Sequence, residues 1–210
     1  MAVYYDQDKY NTLRKEYEFF RFQRYDYTFE NGSLLAKFYF SLDDKYFFTP
    51  SFEIPSKRFY LWDRLSNNEL ELLVFNIGMI ELISYWKLAC PKKVYIAPYN
   101  LSEKQILWWK KLYFNGLGEF FYLNGIKENV DDFMEIVCES DKSCEKINIS
   151  LTETTLVPVG GGKDSVVTIE LLKNKIPIIP FIINPNTAYI FAVKIVCHKH
   201  QHRPYTLSSQ

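Results

Sequence analysis

The chain has 210 residues, with 25 Lys and Arg against 25 Asp and Glu, and 48% of it is hydrophobic. At roughly 150 residues per domain this is long for one domain and short for two, and the apolar fraction excludes a chain disordered by composition. A formal net charge of zero excludes a protein whose main work is gripping nucleic-acid backbone, which needs a basic excess. Four cysteines, Cys90, Cys138, Cys144 and Cys197, are too few and too scattered for a disulfide framework, and no pair has zinc-knuckle spacing. The N-terminus, MAVYYDQDKY, lacks the basic-then-apolar order of a signal peptide. The longest apolar stretch, Leu70 to Ala89, is broken by Glu71, Asn76, Glu81 and Lys87, unlike a membrane span. The expectation is a soluble, cytoplasmic protein with no membrane insertion and no nucleic-acid partner; the sequence carries no signal for an oligomeric state.

The first third reads as β-structure. Aromatic residues alternate through Tyr17 to Phe29, and Asn31-Gly32 favours a tight hairpin turn. Leu34 to Leu42 returns as a second strand; Asp43-Asp44-Lys45 is a turn, and Tyr46 to Ile54 a third strand limited by Pro50 and Pro55. The middle third reads as helical. Ser66 to Glu69 is a capping box, and the helix from Leu70 to Cys90 is apolar on nearly every side, which predicts burial in the domain centre. Pro91 ends it. Val94 to Ala97 reads as a short strand. A second capping box, Ser102 to Gln105, opens a helix through Tyr113 that Asn115-Gly116-Leu117-Gly118 stops. Trp86, Trp108 and Trp109 read as core packing, and Lys87 and Lys110 as solvated helix positions.

The last third changes character after the polar stretch Glu139 to Ser150, where a domain boundary is expected. Thr155 to Val159 is a β-branched run, Gly160-Gly161-Gly162-Lys163-Asp164-Ser165 follows, Val166 to Asn174 reads as a helix and Ile176 to Ile183 as a strand. This is the start of an open parallel α/β sheet. The 27 residues after Ile183 are too few for the further strands such a sheet needs. Residues 186–210 therefore read as an irregular or truncated tail. His198, His200 and His202 beside Cys197 match no closed metal site, and a frayed end is the plainer reading.

Three glycines between a strand and a helix present backbone N–H groups at a helix N-terminus, a geometry that binds phosphate oxygens. A Walker A loop is excluded, because Gly162-Lys163 is followed by Asp164; the dinucleotide fingerprint is excluded by Ser165. Residues 159–165 resemble the Ser-Gly-Gly-x-Asp-Ser loop of the N-type ATP pyrophosphatases, with Gly160 where that family has Ser. Over Thr155 to Pro185 the resemblance implies an adenine nucleotide alpha hydrolase-like domain that splits ATP into AMP and pyrophosphate. It implies that Gly160, Gly161, Gly162, Lys163, Asp164 and Ser165 bind ATP, with Asp164 placed for Mg2+.

A narrower likeness spans residues 15–185. The stretches Phe75 to Pro91, Gln105 to Asn124 and Leu156 to Leu172 resemble the UDP-N-acetylmuramoyl-L-alanyl-L-glutamate epimerase family of peptidoglycan synthesis. That resemblance implies ATP- and Mg2+-dependent inversion of the terminal L-glutamate of a UDP-N-acetylmuramoyl-dipeptide. The fold class it leads to is an α+β N-terminal domain over residues 1–150, on the substrate side, followed over 151–185 by a truncated α/β nucleotide-binding domain. The acid–base residues are unassigned; Lys163, Asp164 and Glu119 are the candidates. Two other readings stand beside it: another adenylating enzyme, an amide ligase or tRNA-modifying one, and a non-catalytic ATP-binding fragment.

Overall fold

The computed structural model describes residues 6–55, 65–144, 146–147, 153–160, 162–183 and 205–209. In chain order these form α1 (Gln7–Glu16), β1 (Phe19–Glu30), β2 (Ser33–Leu42), β3 (Tyr46–Phe48), β4 (Ser51–Pro55), α2 (Asn67–Trp86) and β5 (Lys93–Ile96). There follow α3 (Glu103–Gly116), α4 (Gly118–Leu123), β6 (Glu135–Cys138), β7 (Thr155–Pro158), α5 (Lys163–Leu172), β8 (Ile178–Ile183) and β9 (Tyr205–Ser209). The elements fall into two compact units that are not contiguous in sequence: Met1–Asp26, Lys37–Pro50 and Ser66–Ile147 make the first, and Tyr27–Ala36, Ser51–Leu65 and Asn148–Gln210 the second.

In the first unit the strand order is β6-β5-β1-β2, with β3 on β2. Strands β1, β5 and β6 are parallel to one another, pairing Phe20 with Val94 and Val94 with Ile136. Parallel neighbours need a crossover; α2 lies on the connection from β1 to β5, and α3 with α4 on that from β5 to β6. The two crossovers meet where the Tyr113 hydroxyl of α3 donates to the Met79 carbonyl of α2 at 2.6 Å.

Local chemistry sets the turns. Asn31 and Gly32 take φ 50° and 80°, the left-handed pair that a two-residue hairpin requires. Asp43 and Asp44 are also left-handed; the Asp43 carboxylate accepts the N–H groups of Glu18 and Phe19, at 2.9 and 3.0 Å. Pro50 splits the single strand expected over Tyr46 to Ile54 into β3 and β4, and its carbonyl accepts the Phe38 N–H at 2.9 Å.

Both capping boxes form: Ser66 with Glu69 at α2, Ser102 with Gln105 at α3. Helix α2 ends at Trp86 rather than Cys90; the Cys90 N–H bonds the Trp86 carbonyl at 2.8 Å and Cys90 takes φ 54°. The expected all-round burial of this helix is corrected. It buries Leu70, Val74, Phe75, Gly78, Met79, Leu82 and Trp86, while Ile80 is 52% exposed and Leu73 is also open. Helix α2 has one sheet to cover, so only one stripe can be buried. Trp86 and Trp109 are core residues as expected, but Trp108 is exposed. The Asn115 to Gly118 breaker does not release the chain into a loop; Leu117 turns it directly into α4.

Helix α1 is held at the amino ends of β5 and β6. One guanidinium nitrogen of Arg14 donates to Tyr10 Oη at 2.7 Å, to the Cys90 carbonyl at 2.9 Å and to the Phe133 carbonyl at 2.8 Å.

The second unit holds the strand order β4-β9-β8-β7, with β7–β8 and β8–β9 parallel and β4–β9 antiparallel. Val157, Val159, Ile169, Ile178 and Ile182 form its core, with Leu172 packed against them. The tail is not irregular to its end, because Tyr205–Ser209 is a strand between β4 and β8. Cys197 and the three histidines lie outside the described residues.

An added Cβ at Gly78 would sit 2.6 Å from Phe22 Cζ and 2.7 Å from Phe38 Cδ1, both rings being buried. Gly78→Ala is therefore expected to destabilise by about 1–3 kcal/mol through overpacking, while Ile80→Asp, on the exposed side of the same helix, costs under about 1 kcal/mol. Urea unfolding of the two variants checks the difference.

Candidate functional site

The strand–glycine turn–helix segment stands as the sequence orders it. Strand β7 pairs in parallel with β8, Thr155 against Ile178 through Pro158 against Phe181, and α5 starts at Lys163 after the turn. Gly160 donates its N–H to Ser165 Oγ at 3.2 Å, which draws the start of the turn onto the first turn of α5. Gly162 is the N-cap, in extended backbone at φ −83° and ψ 166°, and no side chain caps the helix. That distinguishes α5 from α2 and α3, where a serine side chain takes the N–H of Glu69 and of Gln105. The uncapped donors and the positive end of the helix dipole suit an anion. A Cβ at Gly160 or Gly162 would meet nothing within 4 Å. Neither residue takes a left-handed φ, so of the two reasons for glycine, a positive φ or a close approach, only the second applies at either. Gly161 lies outside the described residues.

Lys163 and Asp164 are exposed and Ser165 is half-buried; the Asp164 carbonyl accepts Thr168 Oγ1 at 2.8 Å. Glu119 is exposed in the first turn of α4, in the first unit, while Gly160 to Ser165 belong to the second. Lys87 is exposed, and Lys110 Nζ donates to the Asp131 carbonyl at 2.8 Å. Neither Cys90 nor Cys144 is an activated thiol. Burial pushes the Cys90 thiol up to about 12, and burial raises Cys144 as well; a thiol so shifted is a poor nucleophile. Among the described residues no three His, Cys, Asp or Glu side chains gather as a metal site, and no helix is long and apolar enough to cross a membrane.

A second concave site lies in the first unit, beyond the carboxyl ends of β5 and β6. It is a cavity of about 300 Å³ walled by Leu72 and Ile147, with Asn68, Tyr99, Lys142, Ser143 and Lys146 as its polar lining. The loops that carry it are tied together: the Asn100 N–H bonds the Lys142 carbonyl at 2.7 Å, the Cys144 N–H bonds the Asn100 carbonyl at 3.2 Å, and Asn100 bridges Ser143 in parallel. Lys142 Nζ donates to Glu71 Oε2 at 2.7 Å and lies 4.7 Å from the Tyr99 ring centroid. The Tyr99 hydroxyl reaches the same carboxylate oxygen at 3.4 Å and lies 3.3 Å from the Tyr25 hydroxyl. The Glu71 hydrogen bond holds the Lys142 ammonium above its ordinary range, so it stays a cation. The sequence reading missed this cluster. Tyr25, Glu71, Tyr99 and Lys142 are far apart in the chain and follow no spacing rule; a lysine-serine pair in a polar stretch reads as loop.

The chain is a mixed α/β domain with an uncapped strand–glycine turn–helix segment in one unit and a cationic cavity in the other. A family model described as the MurL N-terminal domain matches residues 11–203, and the chain belongs to that family. Over 98 residues it is 30% identical to the UDP-N-acetyl-alpha-D-muramoyl-L-alanyl-L-glutamate epimerase of Xanthomonas oryzae pv. oryzae, covering 47% of this chain and 21% of that protein. Over 118 residues it is 33% identical to the enzyme of the same name from a Micromonospora species, covering 56% of this chain and 25% of that protein. The matched stretches span a quarter or less of those relatives' length. No solved structure matches the chain.

Because an added Cβ meets open space, Gly160→Ala and Gly162→Ala are expected to change unfolding free energy by no more than about 0.5 kcal/mol, read from denaturant unfolding. A large loss at either position would mean that the turn needs glycine for its own packing.

Proposed function

We propose that the chain serves an ATP-dependent epimerisation in peptidoglycan precursor synthesis, in the cytoplasm. The reaction inverts the terminal L-glutamate of UDP-N-acetylmuramoyl-L-alanyl-L-glutamate to D-glutamate, releasing AMP and pyrophosphate. The observation that carries this reading is the family match along residues 11–203, supported by two relatives named for that epimerase.

The chemistry explains why ATP is needed. The α-proton beside a carboxylate is very weakly acidic, because removing it sets a second negative charge next to the first. Adenylation removes the carboxylate charge and turns the carbonyl into an electron sink, so that a base can take the proton and an acid return one on the other face.

The turn from Gly160 to Ser165 fits the phosphates of ATP. Its helix has uncapped first-turn N–H groups, and the two described glycines leave open space for a close approach. Lys163 would offset phosphate charge, and Ser165 Oγ, which accepts the Gly160 N–H, retains its own proton to donate. Asp164 would be the one protein carboxylate on Mg2+, an ion that usually keeps several waters and binds through one or two carboxylates plus phosphates.

A second reading rests on the short share of the relatives' length that is matched. In it the turn binds ATP, and turnover belongs to residues outside the matched stretch.

Incubation with ATP, Mg2+ and the L-glutamyl substrate, followed by pyrophosphate and D-glutamate assays, tests the proposal. Gly161→Val is expected to abolish ATP binding by calorimetry while the fold persists, and Asp164→Asn to lower turnover more than affinity. Parent-like ATP affinity in Gly161→Val would make the loop a plain turn and remove the adenylating reading. ATP binding with no pyrophosphate release would favour the second reading.

A further inference from the structure

The cavity beyond β5 and β6 has a chemical character that the ATP reading does not use. Its polar lining is two ammonium groups, of Lys142 and Lys146, with the Ser143 hydroxyl, the Asn68 amide and the Tyr99 phenol, and none of these residues is acidic. Among the described residues one carboxylate, Glu71, answers the two lysines, by its bond to Lys142. An ammonium has three N–H donors, so Glu71 fixes where Lys142 points without exhausting it. Tyr99 is 4% exposed, and its hydroxyl is held between Glu71 and Tyr25. Leu72 and Ile147 supply apolar wall. The volume is at the lower end of the range for small-molecule sites, and the place, outside the carboxyl ends of parallel strands, is where open α/β sheets bind ligands.

We propose that this cavity receives the carboxylates of a short acidic peptide, the aliphatic part of which lies on Leu72 and Ile147. A phosphate or diphosphate suits it less well. The nearby N-terminus of α2 offers it fewer donors than an uncapped helix, because the capping box already engages two N–H groups: Ser66 accepts the Glu69 N–H, and the Glu69 carboxylate occupies the Ser66 N–H at 2.7 Å. One excess positive charge among the described residues matches a carboxylate better than a multiply charged diphosphate. The identity of the peptide as a glutamyl dipeptide rests on the epimerase reading; the preference for carboxylate over phosphate rests on the cavity alone.

The test is a ¹H–¹⁵N chemical-shift titration of the chain with L-alanyl-L-glutamate, without ATP or Mg2+. L-alanyl-L-glutamine and inorganic pyrophosphate are run as separate arms. The glutamyl peptide is expected to shift the Tyr99, Lys142 and Ser143 amides and to bind about tenfold tighter than the glutaminyl one, the worth of one charge-assisted contact. The double variant Lys142→Met, Lys146→Met should weaken it by about tenfold or more, Lys142→Arg should retain most of the affinity, and Lys87→Met, outside the cavity, should change nothing. Lys142 and Lys146 are exposed, so the fold is expected to survive, as near-UV circular dichroism verifies. The proposal is overturned if the folded parent shows no shifts, if both peptides bind equally, if the double variant binds as the parent does, or if pyrophosphate binds there more tightly. ATP affinity is measured on the same double variant. Peptide binding lost with ATP affinity intact supports two separate sites; peptide binding intact in a protein that does not bind ATP removes the nucleotide reading and leaves the cavity standing.

Discussion

Helix α2 lies closer to its sheet than any side chain at position 78 would permit. With only a hydrogen at Gly78, the helix backbone descends onto the rings of Phe22 and Phe38. Phe75, one turn earlier, then stacks on Phe22 with centroids 5.8 Å apart and planes 5° from parallel. Residues 71, 75 and 78 share one stripe of a helix. The contact that seats Gly78 therefore also brings Glu71 down beside Tyr99, where its carboxylate meets both the phenol and Lys142. The placement of a charged group at the cavity thus follows from packing two turns away, in an interior too dense to let the helix slide.

The parallel strands of the first unit have chemically different ends. At their amino ends Arg14 gathers the Cys90 and Phe133 carbonyls, closing backbone acceptors that a parallel sheet leaves open there. At their carboxyl ends the Asn100 and Lys142 to Cys144 segments are bonded to each other, and Glu71 of α2 and Gln105 of α3 tie them to the helices, around the cavity. The far face of the sheet mixes charge with aromatic rings: Arg21 lies over Phe19 and Tyr95 and pairs with Asp44 and Glu139.

The second unit is a smaller, mostly parallel arrangement with its own core, and its glycine turn lies between a strand's carboxyl end and a helix's amino end. The family match runs through both units. In the proposed chemistry, one unit offers backbone donors to a nucleotide and the other offers cationic side chains to a carboxylate, two different solutions to holding negative charge. Backbone N–H groups suit phosphate oxygens approaching closely; lysines on a cavity wall suit a carboxylate on an apolar body.

What the sequence by itself determined is whatever a few neighbouring residues decide together. Asn31-Gly32 demanded a left-handed turn, Ser66 with Glu69 and Ser102 with Gln105 satisfied each other's backbone, and the glycine run after a β-branched segment placed an open turn before a helix. These are short-range effects of φ, ψ and local hydrogen bonding, so adjacency suffices to read them. The exposed sides of α2 and α3 were not readable, because apolar residues all round a helix do not say which stripe the fold will bury, and Ile80 of α2 and Trp108 of α3 lost that choice. Nor were β6 and β9, which are short and stand or fall on partners elsewhere in the chain. The Tyr25, Tyr99, Glu71 and Lys142 cluster belongs entirely to the tertiary structure. Its members are up to 117 positions apart and meet only because parallel strands must be joined by crossovers that return every carboxyl end to the same side.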